Sequence, residues 1–262
     1  MDSNIKQTIE ETQHLLGFPV ELVNDLSFSN RSAVLRVKAH DDRTLIVKKH
    51  ADPRSRLNEL TAFQYLSPLV APQLIATSDN VIIMEDLGNG PSVADLLLDD
   101  NAEAARAALI SWSQSLGKIA ATTYGKKPET ATSQQVSDRT TRSIAKLANL
   151  WDLELPVKVV DEMQEANHFL ATSRQYQVLT VYDAACPDNN RVANDGTVRL
   201  FDFEYAEWSH AAIDAAYCLT PFCTCWCVSE LSSKIREEMF GAYRYLSSQM
   251  RQVVSIRRVV DL

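Results

Sequence analysis

The chain has 262 residues, a length that fits one two-lobed unit better than two independent domains. Its formal net charge of −8 argues against nucleic acid as a main partner, because phosphate binding requires clustered Lys and Arg. No apolar run reaches the ~18 residues of a membrane-spanning helix, so a membrane is not expected as a partner either. The polar start MDSNIKQTIEETQ does not resemble a signal peptide, and we expect a cytoplasmic location.

The first third of the chain is predicted to be rich in strands. Residues 4–16 form an amphipathic pattern that ends at Gly17, which predicts a helix. Residues 20–50 alternate β-branched stretches with polar turns, a pattern typical of an antiparallel meander. The segment PRSRLNELTAFQYLS then has apolar residues at helical spacing, and APQLIATSDNVIIMED predicts two more strands around a turn. Residues 20–86 therefore predict a five-stranded sheet with one inserted helix.

The rest of the chain is predicted to be mainly helical. The segment LGNGPS at residues 87–92 has the glycines and the proline of a linker. Helices are predicted after it over residues 93–98, 102–123, 134–149 and 157–172. Two short strands then flank a turn at Asp195 and Gly196. We predict an α+β fold with a small antiparallel lobe, residues 1–87, and a larger helical lobe, residues 88–262.

Two pairs of residues indicate a nucleotide and metal site. Lys48 lies on a predicted strand and Glu59 on the next helix, where a carboxylate can hold a lysine at the phosphates of ATP. Asn189 and Asp202 lie at the two ends of the predicted hairpin, where their oxygens can share a hard cation such as Mg²⁺. Each pair is also compatible with a purely structural role, since strand lysines are often followed by helix glutamates and Asp202 could cap a turn. Asp214, an acid in an apolar stretch, is predicted to accept hydrogen bonds from a nearby loop.

The order of these motifs resembles the aminoglycoside phosphotransferase and choline kinase family. The match runs over about residues 20–245 and includes the strand lysine, the helix glutamate, IIMEDLG, CPDNNRV, FDFE and IDAAY. The resemblance implies a protein-kinase-like fold and transfer of the γ-phosphate of ATP, with Mg²⁺, to a hydroxyl. It implies that Lys48 contacts the phosphates with Glu59 as its partner, that Asn189 and Asp202 bind the metal, and that Asp214 braces the catalytic loop.

The resemblance also implies where the nucleotide binds. Residues 84–87 would form the hinge whose backbone meets the adenine, so Glu85 and Leu87 are predicted to contact the nucleotide. Ser29 and Asn30 belong to the loop SFSNRSAV, which would cover the phosphates although it is not rich in glycine.

The catalytic loop departs from the family pattern HGDxxPxN. With Pro187 and Asn189 as anchors, Ala184 occupies the position of the catalytic base. With one inserted residue, Asp183 is the base and Val181 occupies the position of the histidine. We predict Asp183 as the base, but two functions stay open. One is a kinase of a small-molecule hydroxyl, or of a peptide Ser or Thr in a biosynthetic pathway. The other is a pseudokinase that binds nucleotide or a partner protein.

Five cysteines are present, and four of them lie close together near the C-terminal end. They are Cys186, Cys218, Cys223, Cys225 and Cys227. In the segment CTCWC the three thiols would share one face of an extended chain. Because no CxxC pair is present, the pattern favours reduced, partly buried thiols over a metal site.

Overall fold

The computed structural model describes most of the chain in one piece of α+β structure. The described residues are 3–28, 32–129, 138–220, 222, 225–227 and 230–246. Three residues of the sequence-based predictions, Ser29, Asn30 and Cys223, lie outside them, as does the start of the helix predicted from residue 134.

Five antiparallel strands form the first sheet, in the order β1-β2-β3-β5-β4. The strands are β1 (Val20–Asp25), β2 (Ser32–Ala39), β3 (Thr44–His50), β4 (Leu74–Thr77) and β5 (Val81–Glu85). Side chains two residues apart point to the same face of a strand. Leu35 and Val37 of β2 are therefore both buried, whereas Lys38 is exposed. Apolar residues of α1 (Ser3–Leu16) pack against the buried face of this sheet.

A single helix, α2 (Pro53–Tyr65), is inserted between β3 and β4. Asp52 caps its N-terminus, because the Asp52 side chain accepts a hydrogen bond from the backbone N–H of Arg54 at 3.1 Å. Pro53 occupies the first turn, where a missing N–H costs no helical hydrogen bond. The predicted five-stranded sheet with one inserted helix is thus confirmed.

Helices make up most of the remaining described residues. They are α3 (Val93–Leu98), α4 (Ala102–Thr123), α5 (Asp138–Leu150), α6 (Val157–Thr172), α7 (Ala212–Tyr217) and α8 (Ser233–Leu246). The helix α4 lies at the centre of the core: Trp112, Leu116 and Ile119 are almost completely buried. The predicted α+β fold class is confirmed, while the predicted lobe boundary between residues 87 and 88 stays a prediction. Within the described part of the chain, no helix has the length and apolar character of a membrane span.

Two small sheets accompany these helices. The predicted hairpin is formed by β7 (Asn190–Val192) and β8 (Val198–Leu200), with its turn at Gly196. A second antiparallel pair joins β6 (Gln177–Thr180) to β9 (Glu207–His210) and was not predicted. Strands of four residues are too short to show a clear alternation of apolar and polar residues. The β6–β9 pair encloses the hairpin in sequence and so fixes both segments that lead into and out of it.

The contact between α4 and α8 requires a glycine. A Cβ atom added at Gly117 would lie 2.5 Å from the backbone oxygen of Tyr243. Gly241, which is exposed on α8, would meet no atom within 4 Å. The two glycines therefore offer a matched pair of substitutions, one at a close helix approach and one in open space.

We expect Gly117→Ala to lower the free energy of unfolding by about 1–3 kcal/mol, because the added methyl group pushes α8 away from α4. Gly241→Ala should instead raise it by about 0.5–1 kcal/mol, since alanine loses less backbone entropy in a helix. Urea unfolding of the two variants and the wild type measures both effects. Equal effects of the two substitutions would contradict the close packing of α4 on α8.

Candidate active site

One cavity of about 950 Å³ is lined by residues of the first sheet, the segment that follows β5 and the β7–β8 region. Apolar side chains line one part of it: Leu26, Phe28, Val34, Ile46, Met84, Leu87 and Phe201. Charged side chains line another: Arg36, Lys48, Glu59, Glu85, Asp86, Asp183, Asp188, Arg191, Asp202 and Glu204. The structure thus brings the predicted residues Lys48, Glu59, Asp183, Asn189 and Asp202 to one cavity.

Lys48 on β3 and Glu59 on α2 form a buried ion pair. The Lys48 Nζ lies 3.0 Å from the Glu59 Oε2, and the two side chains are only 6% and 1% exposed. Burial opposes charge on the lysine, but the carboxylates of Glu59 and Asp202 outweigh burial and raise the pKa of Lys48. Burial also opposes charge on Glu59, but Lys48 and His50 outweigh it and lower the pKa of that carboxyl. Both partners are therefore charged in the interior.

Two further residues extend this pair and were not predicted. The His50 Nε2 lies 2.5 Å from the Glu59 Oε2, and the His50 Nδ1 lies 3.5 Å from the Glu204 Oε2. Burial opposes protonation of His50, but its hydrogen bonds to Glu204 and Glu59 outweigh burial and raise its pKa. A signal was present in the sequence: His50 lies two residues after Lys48, and on a strand that spacing places both side chains on one face.

Asp202 follows β8 and contacts the Lys48 Nζ through its Oδ1. Its backbone is left-handed, with φ of 69°. Aspartate tolerates this conformation better than most residues do. The neighbouring Phe203 is completely buried, so it anchors the backbone immediately beyond Asp202 in the core. Burial raises the pKa of Asp202, and the charge of Lys48 only partly offsets this rise.

The loop before β7 decides which residue faces the cavity. Asp183 is exposed and lines the cavity, whereas Ala184 is completely buried and does not line it. Tyr182, immediately before Asp183, has a left-handed backbone with φ of 45°, a conformation that is unusual for a bulky residue. This local conformation turns the loop so that Asp183, and not the residue after it, points toward the site.

Two asparagines hold this loop. The Asn189 Nδ2 donates to the backbone carbonyl of Asp183 at 2.8 Å, which leaves the Asn189 Oδ1 as the acceptor atom of the amide. Asn190 is completely buried, and its Oδ1 accepts from the N–H of Val93 at 2.9 Å while its Nδ2 donates to the carbonyl of Pro187 at 2.8 Å. The role of Asn190 was not predicted, because two successive asparagines look alike in the sequence.

Asp214 braces the same loop from below, as predicted. Its Oδ2 accepts a hydrogen bond from the backbone N–H of Val181 at 3.0 Å. Burial raises the pKa of Asp214 to about 7, and the backbone hydrogen bonds from Val181 and Tyr182 only partly oppose this rise. The carboxyl group is thus tied to the two residues that precede Asp183.

The segment that follows β5 is held to both sheets by ion pairs. The Glu85 carboxylate accepts from the Arg199 Nη1 at 2.8 Å, which connects β5 to β8. Arg36 of β2 binds the Asp86 carboxylate, with 2.7 Å between the Arg36 Nε and the Asp86 Oδ2. Glu85 and Leu87 line the cavity as predicted, but the Glu85 side chain has a structural partner. Contact between their backbone and an adenine stays a prediction.

No protein-family model matches the sequence, and no curated protein matches it significantly. Solved structures do match. The macrolide 2′-phosphotransferase of Brachybacterium faecium aligns with a TM-score of 0.61 and 13% identity, over 98% of this chain and 91% of that one. The choline kinase of Cryptosporidium parvum aligns with a TM-score of 0.58 and 14% identity, over 88% and 74%. The amicoumacin kinase hAmiN, in complex with AMP-PNP, Ca²⁺ and Ami, aligns with a TM-score of 0.63 and 14% identity, over 95% and 78%.

The chain has the fold of choline kinases and aminoglycoside phosphotransferases. The resemblance inferred from the motifs is thereby confirmed at the level of the fold. On this phosphotransferase fold, Lys48 and Glu59 belong to the first sheet and its helix, and Asp183, Asn189 and Asp202 to the loop and hairpin opposite.

The buried carboxyl of Asp214 makes stability depend on pH. Its pKa in the folded chain, about 7, lies above the ~3.9 of an unfolded aspartate. The folded state therefore binds this proton more tightly, and the resulting stability is complete below pH ~4 and lost as the pH rises through about 7.

We expect Asp214→Asn to remove this part of the pH dependence, because asparagine keeps an acceptor for Val181 without a titrating group. The free energy of unfolding of the wild type should fall relative to that of Asp214→Asn between pH ~4 and ~7. Urea unfolding at a series of pH values measures the difference, and Asp99→Asn, at an exposed position, is the control. Parallel pH profiles of wild type and Asp214→Asn would contradict the raised pKa.

Proposed function

We propose that the chain is an ATP- and Mg²⁺-dependent phosphotransferase that transfers the γ-phosphate to a hydroxyl group of a small molecule. One observation carries the proposal: a single cavity is lined by the Lys48–Glu59 pair, by Asn189 and Asp202, and by Asp183. The solved structures of the same fold support it, because their names describe a choline kinase, a macrolide 2′-phosphotransferase and an amicoumacin kinase.

The size and lining of the cavity suit a nucleotide. Ligand sites commonly measure about 300–1,000 Å³ and combine apolar walls with a few polar groups. The apolar part of this cavity, with Val34, Ile46 and Met84, lies beside the segment that contains Glu85 and Leu87. We place the adenine there, with its edge toward that segment, and the phosphates toward Lys48.

The donors beside Lys48 fit a magnesium ion. Asp202 offers a carboxylate and Asn189 an amide oxygen, and Mg²⁺ is usually held by one or two such groups together with substrate phosphates. Seven carboxylate side chains but only three basic ones line the cavity. A bare triphosphate would be repelled by this excess of negative charge. The bound ion would supply the charge neutralisation that phosphoryl transfer requires.

The chain's own residues then have separate tasks. Lys48 donates to the phosphates, and Glu59 keeps its ammonium group in place because that pair is buried from solvent. Asp183 accepts the proton of the acceptor hydroxyl at its carboxylate. The hydrogen bonds from Asn189 to the carbonyl of Asp183 and from Val181 to Asp214 hold the loop in position. Positioning of this kind accounts for much of the catalysis in phosphoryl transfer.

A pseudokinase is the alternative, and the backbone of the loop is the observation that favours it. Val181 and Tyr182 replace the histidine and the glycine of the HGD pattern that precede the base. Tyr182 adopts a left-handed φ of 45°, which a glycine would adopt without strain. In this alternative the chain binds nucleotide, or a partner protein, without efficient transfer.

We expect Asp202→Asn to abolish the Mg²⁺-dependent stabilisation of the chain by ATP, because the variant loses the charged metal ligand. At a nucleotide concentration of ~100 times Kd, binding adds about 2.7 kcal/mol to the wild type, which thermal unfolding with and without ATP and Mg²⁺ detects. The control is Asp195→Asn, an exposed turn residue of the same hairpin, which should keep the full shift. Absence of any shift in the wild type would rule out both the kinase and the nucleotide-binding pseudokinase.

We expect Asp183→Asn to lower the rate of ADP release from ATP by about 10²–10⁴-fold while the thermal shift with ATP and Mg²⁺ is retained, because a base is lost and not a ligand. A panel of small-molecule alcohols and a Ser- and Thr-containing peptide serve as acceptors in the same assay. Equal turnover of wild type and Asp183→Asn would show that Asp183 is not the base. Nucleotide binding by the wild type without turnover on any acceptor would favour the pseudokinase.

A further inference from the structure

Three metal-binding side chains from two distant segments meet at the edge of the cavity. The Cys186 Sγ, a carboxylate oxygen of Asp188 and the Cys225 Sγ all lie within 4.8 Å of one another. The Cys227 Sγ lies 3.2 Å from the Cys225 Sγ. The sequence pattern favoured reduced thiols, and all four described cysteines are free. What it did not show is that the loop before β7 places Cys186 and Asp188 beside the CTCWC segment.

The carboxylate of Asp188 provides an independent indication of a cation. Its Oδ2 accepts a hydrogen bond from the Trp226 Nε1 at 3.3 Å. Its Oδ1 is buried and accepts no hydrogen bond from an N–H or O–H group among the described residues. A buried carboxylate oxygen without a partner is costly. A bound cation between this oxygen and the neighbouring sulfur atoms would satisfy it.

The donor atoms select the kind of cation. Thiolates bind soft or borderline metals such as zinc and are poor ligands for Mg²⁺, which prefers oxygen. Burial raises the pKa of Cys227 to about 12 and also raises the pKa of Cys186. Without a metal these thiols therefore keep their protons, and a binding metal would displace them into solvent.

We propose that Cys186, Asp188 and Cys225 bind a zinc ion, with Cys227 as the fourth ligand. Zinc–sulfur bonds of ~2.3 Å in a tetrahedron separate two sulfur atoms by about 3.8 Å. The 3.2 Å between Cys225 and Cys227 is far longer than a disulfide bond of ~2.05 Å. A small shift of either side chain would bring the pair to the zinc spacing.

The zinc site connects two parts of the cavity wall. Cys186 and Asp188 lie in the same loop as Asp183 and Asn189, whereas Cys225 adjoins Trp226, which also lines the cavity. The ion would therefore fix Trp226 relative to the loop. The proposal concerns different donor atoms from those of Asn189 and Asp202, and it does not depend on phosphotransfer.

Cobalt binding to the reduced full-length chain tests the proposal. The zinc content of the chain purified without chelator is measured by mass spectrometry of the metal, and Co²⁺ is then titrated into the metal-free chain in excess Mg²⁺. We expect one zinc per chain and a thiolate-to-cobalt charge-transfer band, which binding to oxygen ligands alone does not produce. Cys186→Ser and Cys225→Ser should each weaken Co²⁺ binding by at least about tenfold, the smallest loss seen when a mere supporting residue is changed.

Two control variants distinguish this zinc site from binding of the metal at an unrelated thiol. Cys218→Ser changes a buried thiol that lies beside Ser113, and it should leave the band unchanged. Cys225 is partly exposed, so Cys225→Ser keeps the test valid even where Cys186→Ser fails to fold. Absence of zinc and of the band from the reduced wild type would overturn the proposal. So would unchanged affinity in Cys225→Ser, or a Cys225–Cys227 disulfide whose reduction restores no metal binding.

Discussion

A buried ion pair between Lys48 and Glu59 is the interaction on which the rest of the site depends. It fixes α2 against β3 and holds one ammonium group at the wall of the cavity. Breaking such a pair by removing one partner typically costs about 3–5 kcal/mol, whereas replacing both partners by apolar side chains is often neutral or stabilising. Stability alone therefore does not require these charges. A charged lysine held next to a cavity, with His50 and Glu204 in support, fits a negatively charged ligand better than a purely structural role.

The opposite wall of the cavity is built from a short loop whose backbone is fixed from three directions. Asn189 binds the carbonyl of Asp183, Asn190 ties the loop to the start of α3, and Asp214 accepts from the residues before Asp183. This bracing keeps an acidic side chain at the cavity in spite of the altered sequence around it. The proposed zinc site would add a fourth restraint, because it joins the same loop to the segment of Trp226. Function would then depend on a loop that is rigid although its sequence is unusual.

Much of the fold could be predicted from the sequence, because the helices and the first five strands have clear periodicity and turn residues. The β6–β9 pair could not, since four-residue strands carry little pattern. The register of the catalytic loop was also undecided, because one inserted residue changes which side chain faces the cavity without changing composition. Only the backbone of Tyr182 and the burial of Ala184 distinguish the two alignments. The contact between Cys186 and Cys225 depends on packing between distant segments and leaves no local signal.

The central claim is that the braced loop presents Asp183 to a nucleotide held by Lys48 and Asp202. A crystal structure of the chain with AMP-PNP and Mg²⁺ tests it most directly. Our account predicts adenine beside residues 84–87, the phosphates at Lys48, the metal at Asn189 and Asp202, and the Asp183 carboxylate facing the γ-phosphate. A nucleotide bound elsewhere, or an Asp183 side chain turned away from the γ-phosphate with Ala184 in its place, would contradict the account.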